Sequence, residues 1–466
     1  MFVSSINALF TVIEAIPKGA LVTHLPGFKG DFPSKHYSGY MKIDNKRYLF
    51  YYFVTSEREP KNDPLVLWLN GGPGCSTFDG FIYQHGPFKF ETGKPRGSLP
   101  TLNLNPYSWS KVSNIIYLDS PVGVGFSYSK DKTNYATGDH KIAIDTHTFL
   151  VMWFELYPEF VNNPFYIAGE SYAGIYIPTL ATKIIQGIKD DVERNINFKG
   201  YMVGNGVADP SSPFNNDDKI LFLHGMGLIS DDLFENIQIT CNMKDNKDEC
   251  HHYLSKVDKI IDGMNPYNIL EPCYHPPKSK PDTKENGAST SMSLLVRNRT
   301  VGLNDFTGLW TNSEGVDDCL NDEVATTWLN NLLVRKAIHA EPVDMIGRRW
   351  VTVSENVLYN YKKDAGSMIP YHKNLIKAGY RALIFCGDHD MVVPFTGTQR
   401  WIKSLGYDIV DEWRSWIVNE QVAGILQGYE HELTFLTIKG AGHRVAYNKP
   451  QEALHFYSQW LDREPI

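Results

Sequence analysis

Six short runs of the chain, residues 64–69, 113–118, 164–168, 198–204, 381–386 and 433–438, are almost continuously apolar. Between the first four lie longer stretches with helical periodicity, such as 143–160 and 180–189. A strand with one wet face alternates apolar and polar residues, whereas one buried on both faces reads as an unbroken apolar run. Buried strands alternating with helices imply an α/β chain with a mostly parallel central sheet flanked by crossover helices. A hairpin precedes this pattern, because Tyr40, Tyr48, Phe50, Tyr51, Tyr52 and Phe53 fall on either side of a polar Lys46-Arg47 turn.

The pattern weakens between residues 210 and 322 and then returns. The stretch holds four of the six cysteines, and residues 276–293 are rich in Pro, Lys, Ser, Thr and Gly with little to bury. It is expected to be an inserted cap with an exposed loop at about 276–300. Residues 16–209 and 323–466 then form one interrupted core, although 466 residues would accommodate roughly three average domains. A hydrophobic content of 42% excludes a disordered chain, and a net charge of −8 argues against a nucleic-acid partner. No apolar run reaches the ~18 residues of a spanning helix, so no membrane span is expected. Residues 1–15 are mostly apolar and end in Ala15, as the remnant of a signal segment would, but Asn7 and Glu14 interrupt them and no basic start precedes them. No C-x-x-C pair occurs, so disulfides and the secretory pathway are expected rather than a structural zinc.

Gly169-Glu170-Ser171-Tyr172-Ala173-Gly174 lies between an apolar run and a helical stretch. Small neighbours there let the backbone turn sharply and expose a serine hydroxyl, although the last glycine comes one residue later than in G-x-S-x-G. The plain alternative is a small-residue helix start packed on the sheet. Asn70-Gly71-Gly72-Pro73-Gly74 follows another apolar run, where a glycine-rich turn can aim N–H groups at a developing oxyanion or can be an ordinary turn. Serine becomes a useful nucleophile when an imidazole takes its proton and an acid orients that imidazole. Gly387-Asp388-His389-Asp390 and Gly440-Ala441-Gly442-His443 each follow a later run. The order Ser171, Asp390, His443 is that of α/β-hydrolases. Asp388 competes with Asp390, and His389, His431 and His455 compete with His443.

These motifs, together with Trp68-Leu69-Asn70-Gly71-Gly72-Pro73-Gly74-Cys75-Ser76 and Leu118-Asp119-Ser120-Pro121-Val122-Gly123-Val124-Gly125-Phe126-Ser127-Tyr128, resemble the serine carboxypeptidases, especially those of plant vacuoles and secretions. The resemblance runs from about Pro17 to the C-terminus. It implies an α/β-hydrolase fold and release of single residues from peptide C-termini at acidic pH, with no metal or cofactor. It also implies Ser171 as nucleophile, His443 as base, Asp390 as its partner, and the N–H groups of Gly72 and Tyr172 as oxyanion hole. In that family the terminal carboxylate of the substrate meets Asn70, the Gly71 N–H, Glu170 and a further Glu, here replaced by Gln84. A buried Glu170 donates a hydrogen bond to a carboxylate only while protonated, which favours acid pH.

Two departures carry expectations. Gln84 cannot ionise, which should change the pH profile. Arg444-Val445-Ala446 replaces an uncharged or acidic residue followed by Val-Pro, so Arg444 either lies near the leaving-residue pocket and selects acidic side chains, or grips the carboxylate, or points to solvent. The resemblance further implies disulfides Cys75–Cys319 and Cys241–Cys250, leaving Cys273 without an obvious partner and Cys386 as a buried thiol. Asn298-Arg299-Thr300 is the one glycosylation sequon, and relatives cleaved near it make cleavage of the cap loop an expectation. The reading is a secreted or vacuolar serine carboxypeptidase acting on peptide C-termini. Its rivals are an acyltransferase using acyl-sugar donors, which in this family tends to carry Asp in place of Glu170, and a catalytically weakened binding or scaffold protein. Oligomeric state stays open, a homodimer being one option.

Overall fold

The computed structural model describes residues 19–91, 97–190, 196–209, 215–241, 247–274 and 319–466. The aromatic hairpin forms as its pattern predicts. Strands β2 (His36–Lys42) and β3 (Arg47–Val54) pair antiparallel, and β1 (Leu21–Val22) adds to β2 at the edge. The six apolar runs become β4 (Leu65–Leu69), β5 (Asn114–Leu118), β6 (Phe165–Glu170), β7 (Phe198–Gly204), β8 (Arg381–Gly387) and β11 (Leu433–Ile438). These six are adjacent and mutually parallel, in the order β5-β4-β6-β7-β8-β11. Every residue of β4, β5, β6 and β8 is buried, which explains their unbroken apolar sequences.

Two further strands, β9 (Ile409–Val418) and β10 (Gln421–Tyr429), extend the sheet antiparallel beyond β11. Sequence periodicity did not announce them. Most of β9 is exposed or half-exposed, so it carries neither an apolar run nor a clean alternation. A twelfth short strand, Tyr128–Ser129, pairs with β3 outside this path.

Side chains leave the sheet alternately, so each strand feeds two cores. Leu49, Tyr51 and Phe53 of β3, with Leu65, Leu67 and Leu69 of β4, pack under α1 (Asp139–Leu156) and α2 (Ala173–Lys189) through Phe149, Trp153, Ile175 and Leu180. Phe50, Tyr52 and Val54, with Val66 and Trp68, face the other way, toward the C-terminal helix Pro450–Asp462 and its Phe456 and Trp460. Trp153 meets Phe53 edge-on at 5.0 Å and stacks on Tyr157 at 4.6 Å, contacts each worth about 0.5–1.5 kcal/mol beyond area burial. Much of the aromatic content is therefore core. This mixed sheet with helices on both faces is the α/β-hydrolase fold.

Between β7 and β8, helices α3 (Asn215–Gly225), α4 (Asp231–Cys241) and α5 (Lys247–Ile261) share a separate apolar cluster. It contains Phe222, Leu223, Ile237, Leu254 and Val257, and Met391 joins it from the loop after β8. Cys241 is bonded to Cys250, joining α4 to α5. The expected Cys75–Cys319 bond is not formed, because Cys319 is bonded to Cys273. Residue 319 lies beside the chain at 264–274, where its carbonyl accepts from the Tyr274 N–H at 3.4 Å and its sulfur lies 4.0 Å from the Met264 carbonyl. Cys273 is thus the thiol at hand. Cys75 belongs to neither disulfide, and Cys386 is the expected buried thiol, directed at Thr398 Oγ1 at 3.3 Å. Residues 1–15, the loop at 276–300 and Asn298 lie outside the described residues.

The parallel strands bring their C-terminal loops to one edge at very short range. A Cβ on Gly387, at the end of β8, would lie 2.0 Å from the Gly442 carbonyl oxygen and 2.5 Å from that of Ala441. Both obstacles are backbone and cannot rotate away. Gly387→Ala is expected to destabilise the protein by about 1–3 kcal/mol, seen as a lower urea midpoint; an unchanged midpoint would show that the two loops can separate without cost.

Candidate active site

Ser171 sits one residue beyond β6 and two residues before α2, with φ at 65°. A non-glycine residue in the left-handed region costs about 1–3 kcal/mol and persists only where its surroundings hold it. Here the Ser171 N–H donates to the Gly204 carbonyl at 3.0 Å, and the Ser171 carbonyl accepts from Gly174 at 2.9 Å and Val207 at 3.1 Å. The displaced glycine of the motif has a local reason. A Cβ on Gly174 would lie 2.4 Å from the Val207 carbonyl oxygen, whereas Ala173 packs beside Gly169.

The glycine-rich turn after β4 reaches the same place. A Cβ on Gly71 would stand 2.3 Å from the Tyr172 nitrogen and 2.8 Å from the Glu170 carbonyl oxygen, so the two turns touch backbone to backbone. Gly72 has φ of 110°, a conformation open to glycine. The Tyr172 hydroxyl donates to Asp139 at 3.0 Å, and the same buried carboxylate accepts from the Tyr361 hydroxyl at 2.6 Å and the Ala365 N–H at 2.9 Å. Tyr172 is thereby anchored from its ring as well as its backbone.

His443 Nδ1 and Asp390 Oδ2 are 2.7 Å apart, and Asp390 is fully buried. Asp390 also accepts from Asn205 Nδ2 at 2.7 Å and from the Val392 N–H at 2.8 Å. Its rival Asp388 is otherwise engaged, 2.5 Å from His389 Nδ1 and accepting from the Gly440 N–H at 2.7 Å. With Nδ1 committed to Asp390, Nε2 is the ring nitrogen left for proton exchange. Burial opposes a charged ring, but the Asp390 carboxylate, its hydrogen bond and the charge of Glu170 outweigh that and hold His443 above the ordinary histidine range. His431 lies on an exposed turn just before β11, and His455 is only half-buried beside Trp416.

A second cluster adjoins Ser171. Trp68 Nε1 donates to Asn70 Oδ1 at 2.9 Å, which fixes the amide and turns Asn70 Nδ2 onto Glu170 Oε1 at 2.8 Å. Gln84 Nε2 donates to the same oxygen at 2.5 Å and to Asp79 Oδ2 at 2.8 Å. Two donors on Oε1 leave the proton of a neutral Glu170 to Oε2. Burial first, then the Asp79 charge, push the Glu170 carboxyl up to about 7 against the opposing influence of His443, the Gln84 hydrogen bond and Arg444. Arg444 does not point to solvent. Its Nη1 donates to Asp79 Oδ1 at 3.0 Å, its side chain is 15% exposed, and its guanidinium lies 4.8 Å from the Tyr447 ring.

Three contributors escaped the sequence reading. Asn205 had a readable signal, since Gly204-Asn205-Gly206 ends an apolar run as the other site loops do. Asp79 had none, being a lone acid in a helical turn. Tyr267 also had none: its carbonyl accepts from the His443 N–H at 2.6 Å and its ring meets the His443 ring at 5.3 Å, 72° apart. Among the described residues no group of three or more His, Cys, Asp or Glu is arranged to hold a metal ion, and no helix is long and apolar enough to cross a membrane.

The chain matches a family model described as serine carboxypeptidase over residues 26–463. It is 52% identical to Serine carboxypeptidase-like 20 of Arabidopsis thaliana, covering 100% of this chain and 97% of that protein. It is 53% identical to Serine carboxypeptidase 1 of Hordeum vulgare, covering 96% and 93%. Kex1(delta)p, a prohormone-processing carboxypeptidase from Saccharomyces cerevisiae, superposes with a TM-score of 0.71 over 95% of both chains at 20% identity, a likeness of fold. With a family match over nearly the whole length and relatives above 50% identity, the chain belongs to the serine carboxypeptidase family.

Proposed function

We propose that the protein is a peptidase that removes single amino acids from peptide C-termini in mildly acid surroundings. The observation that carries this reading is the buried Asn70–Glu170–Gln84 cluster beside Ser171, with Glu170 pushed up to about 7. A simple esterase has no use for a neutral carboxylic acid one residue from its nucleophile. A carboxypeptidase does, because the acid donates a hydrogen bond to the substrate's terminal carboxylate.

In this reading Ser171 Oγ attacks the last peptide carbonyl as His443 Nε2 takes its proton, and the N–H groups of Gly72 and Tyr172 receive the oxyanion. His443 returns that proton to the departing amine, the C–N bond breaks, and the terminal amino acid leaves. Water, deprotonated by His443, then attacks the Ser171 ester; the C–Oγ bond breaks, the shortened peptide leaves as its carboxylic acid, and His443 returns the proton to Ser171 Oγ. Asp390 orients the imidazole and Asn205 orients Asp390. The Gly71 N–H, Asn70 and protonated Glu170 hold the carboxylate. Residues 16–209 and 323–466 carry this chemistry under a cap at 210–322. Two disulfides support residence in the secretory pathway, vacuolar or extracellular.

The finer assignment rests on products. A blocked dipeptide is expected to yield free C-terminal amino acid, with no ester formed from an acyl-glucose donor and an alcohol; the reverse result would make the protein an acyltransferase. Fluorophosphonate labelling of Ser171 in folded protein separates either enzyme from an inert scaffold.

Glu170 binds a carboxylate while protonated, so binding is present below about pH 7 and is lost as pH rises through that value. Glu170→Gln keeps an N–H donor at all pH values. Its kcat/KM is therefore expected to lose the alkaline fall seen in the wild type, and an unchanged alkaline limb would remove Glu170 from the role. Asn205→Ala removes one hydrogen bond to a buried charge, about 1.5–3 kcal/mol, so kcat should drop about 10- to 100-fold with KM little changed. A change in KM alone would contradict the orienting role.

A further inference from the structure

Asp79 lies outside the groups that the proposed reaction uses, yet it is the hub of the carboxylate cluster. Its two oxygens are divided. Oδ1 accepts from Arg444 Nη1 at 3.0 Å, and Oδ2 accepts from Gln84 Nε2 at 2.8 Å. The Gln84 amide nitrogen in turn reaches Glu170 Oε1 at 2.5 Å. Asp79 and Arg444 have little exposed side chain, 9% and 15%, so their charges are screened mainly by each other. A glycine follows Asp79 for a steric reason: a Cβ on Gly80 would lie 2.5 Å from Trp68 Nε1 and 3.1 Å from Asn70 Oδ1. The turn bearing Asp79 and Gln84 is therefore pressed against the same Trp68–Asn70 unit that orients the other donor to Glu170.

We propose that Asp79 is a positioning residue of the carboxylate pocket: it aims the Gln84 amide at Glu170 and, by pairing with Arg444, keeps the charge beside Glu170 balanced. The proposal rests on the carboxypeptidase reading for its effect on catalysis and on the geometry alone for its effect on Glu170.

The electrostatic consequence has a definite sign. The charged and titratable groups around Glu170 are Asp79, just before the Gly80–Gln84 turn, and Tyr83 within it, His443 and Arg444 from the loop after β11, and Tyr447 beside Arg444. Among these, Asp79 and Arg444 are the oppositely charged pair, and removing either leaves the other's charge uncompensated in a buried space. Asp79→Asn keeps an oxygen to accept from Gln84 but leaves the Arg444 cation beside Glu170, which then ionises at lower pH. Arg444→Met leaves the Asp79 anion, and Glu170 then holds its proton to higher pH. The double variant removes both charges and should lie near the wild type. A residue that merely supports the fold would produce no such opposed pair.

The test is the titration of the Glu170 carboxylic acid band by infrared difference spectroscopy, identified by its loss in Glu170→Gln, alongside kcat/KM for a blocked dipeptide from about pH 4 to 9 in wild type, Asp79→Asn, Arg444→Met and the double variant. The band midpoint is expected to move down by about one pH unit in Asp79→Asn, up by about one unit in Arg444→Met, and back to within about half a unit in the double variant. The alkaline limb of kcat/KM should follow. If the band moves as described but kcat/KM does not follow, the charge-balancing role of Asp79 stands and the assignment of Glu170 to the substrate carboxylate falls. Shifts in one direction for both single variants, or no shift in the band, would overturn the proposal. Should Asp79→Asn fail to fold, Arg444→Met alone decides, since a downward or absent shift there has the wrong sign.

Discussion

The site depends on backbone contact between loops that are distant in sequence. Parallel strands leave the sheet at one edge, and four of them end in loops that converge there: Asn70–Gly72 after β4, Glu170–Tyr172 after β6, Asn205 after β7, and Asp390 after β8, joined by His443 after β11. Convergence alone would leave the loops a side chain apart. Glycines at 71, 174, 387 and 442 close that gap, because a Cβ at each would meet neighbouring backbone at 2.0–2.4 Å. The hydrogen bonds that hold Ser171 in its left-handed conformation exist because β7 runs so near that Gly204 and Val207 reach it.

Convergence buries polar groups away from solvent, and each must find a partner. Asp390 is fully buried yet receives His443, Asn205 and the Val392 N–H. Asn205 spends its other end accepting from the Gly387 N–H at 3.1 Å, so the amide ties the strand carrying Asp390 to its neighbour. The segment at 266–269 completes the enclosure, taking the Met391 N–H on the Pro266 carbonyl and the His443 N–H on the Tyr267 carbonyl, while the Ile269 N–H donates to His389. Cys273, four residues on, is bonded to Cys319. The disulfide therefore staples a segment that is bonded to His443 and to both chain neighbours of Asp390, a different task from the link between oxyanion turn and cap that family resemblance suggested for Cys319.

What was legible in the sequence follows from this physics. A strand buried on both faces must be apolar throughout, so the six parallel strands could be read, and a loop at their ends must be rich in small residues, so the motifs at 70–74, 169–174, 387–390 and 440–443 stood out. The β9–β10 hairpin could not be read, because an exposed edge imposes no such composition. Asp79 and Tyr267 could not be read for another reason. Their contributions are a carboxylate placed by a helical turn and a backbone carbonyl, and neither leaves a spacing or residue-type signature. Arg444 was visible as a departure, but its direction depended on Asp79.

The carboxylate cluster also settles how one buried space can hold two acids and two bases. With Asp79 and Arg444 paired, Glu170 and His443 remain, and their charges favour each other. One proton shared between them gives either an ionised Glu170 with a charged His443 or a neutral acid with a neutral base, and the two arrangements carry the same net charge. The proposed chemistry needs the second arrangement, a donor at Glu170 and a base at His443. A substrate carboxylate hydrogen-bonded to Glu170 places an anion directly on that acid and farther from the imidazole, which penalises the ionised acid more than it favours the charged ring. Substrate binding and the arming of the base are then linked through the same proton, and a substrate without a terminal carboxylate forgoes both.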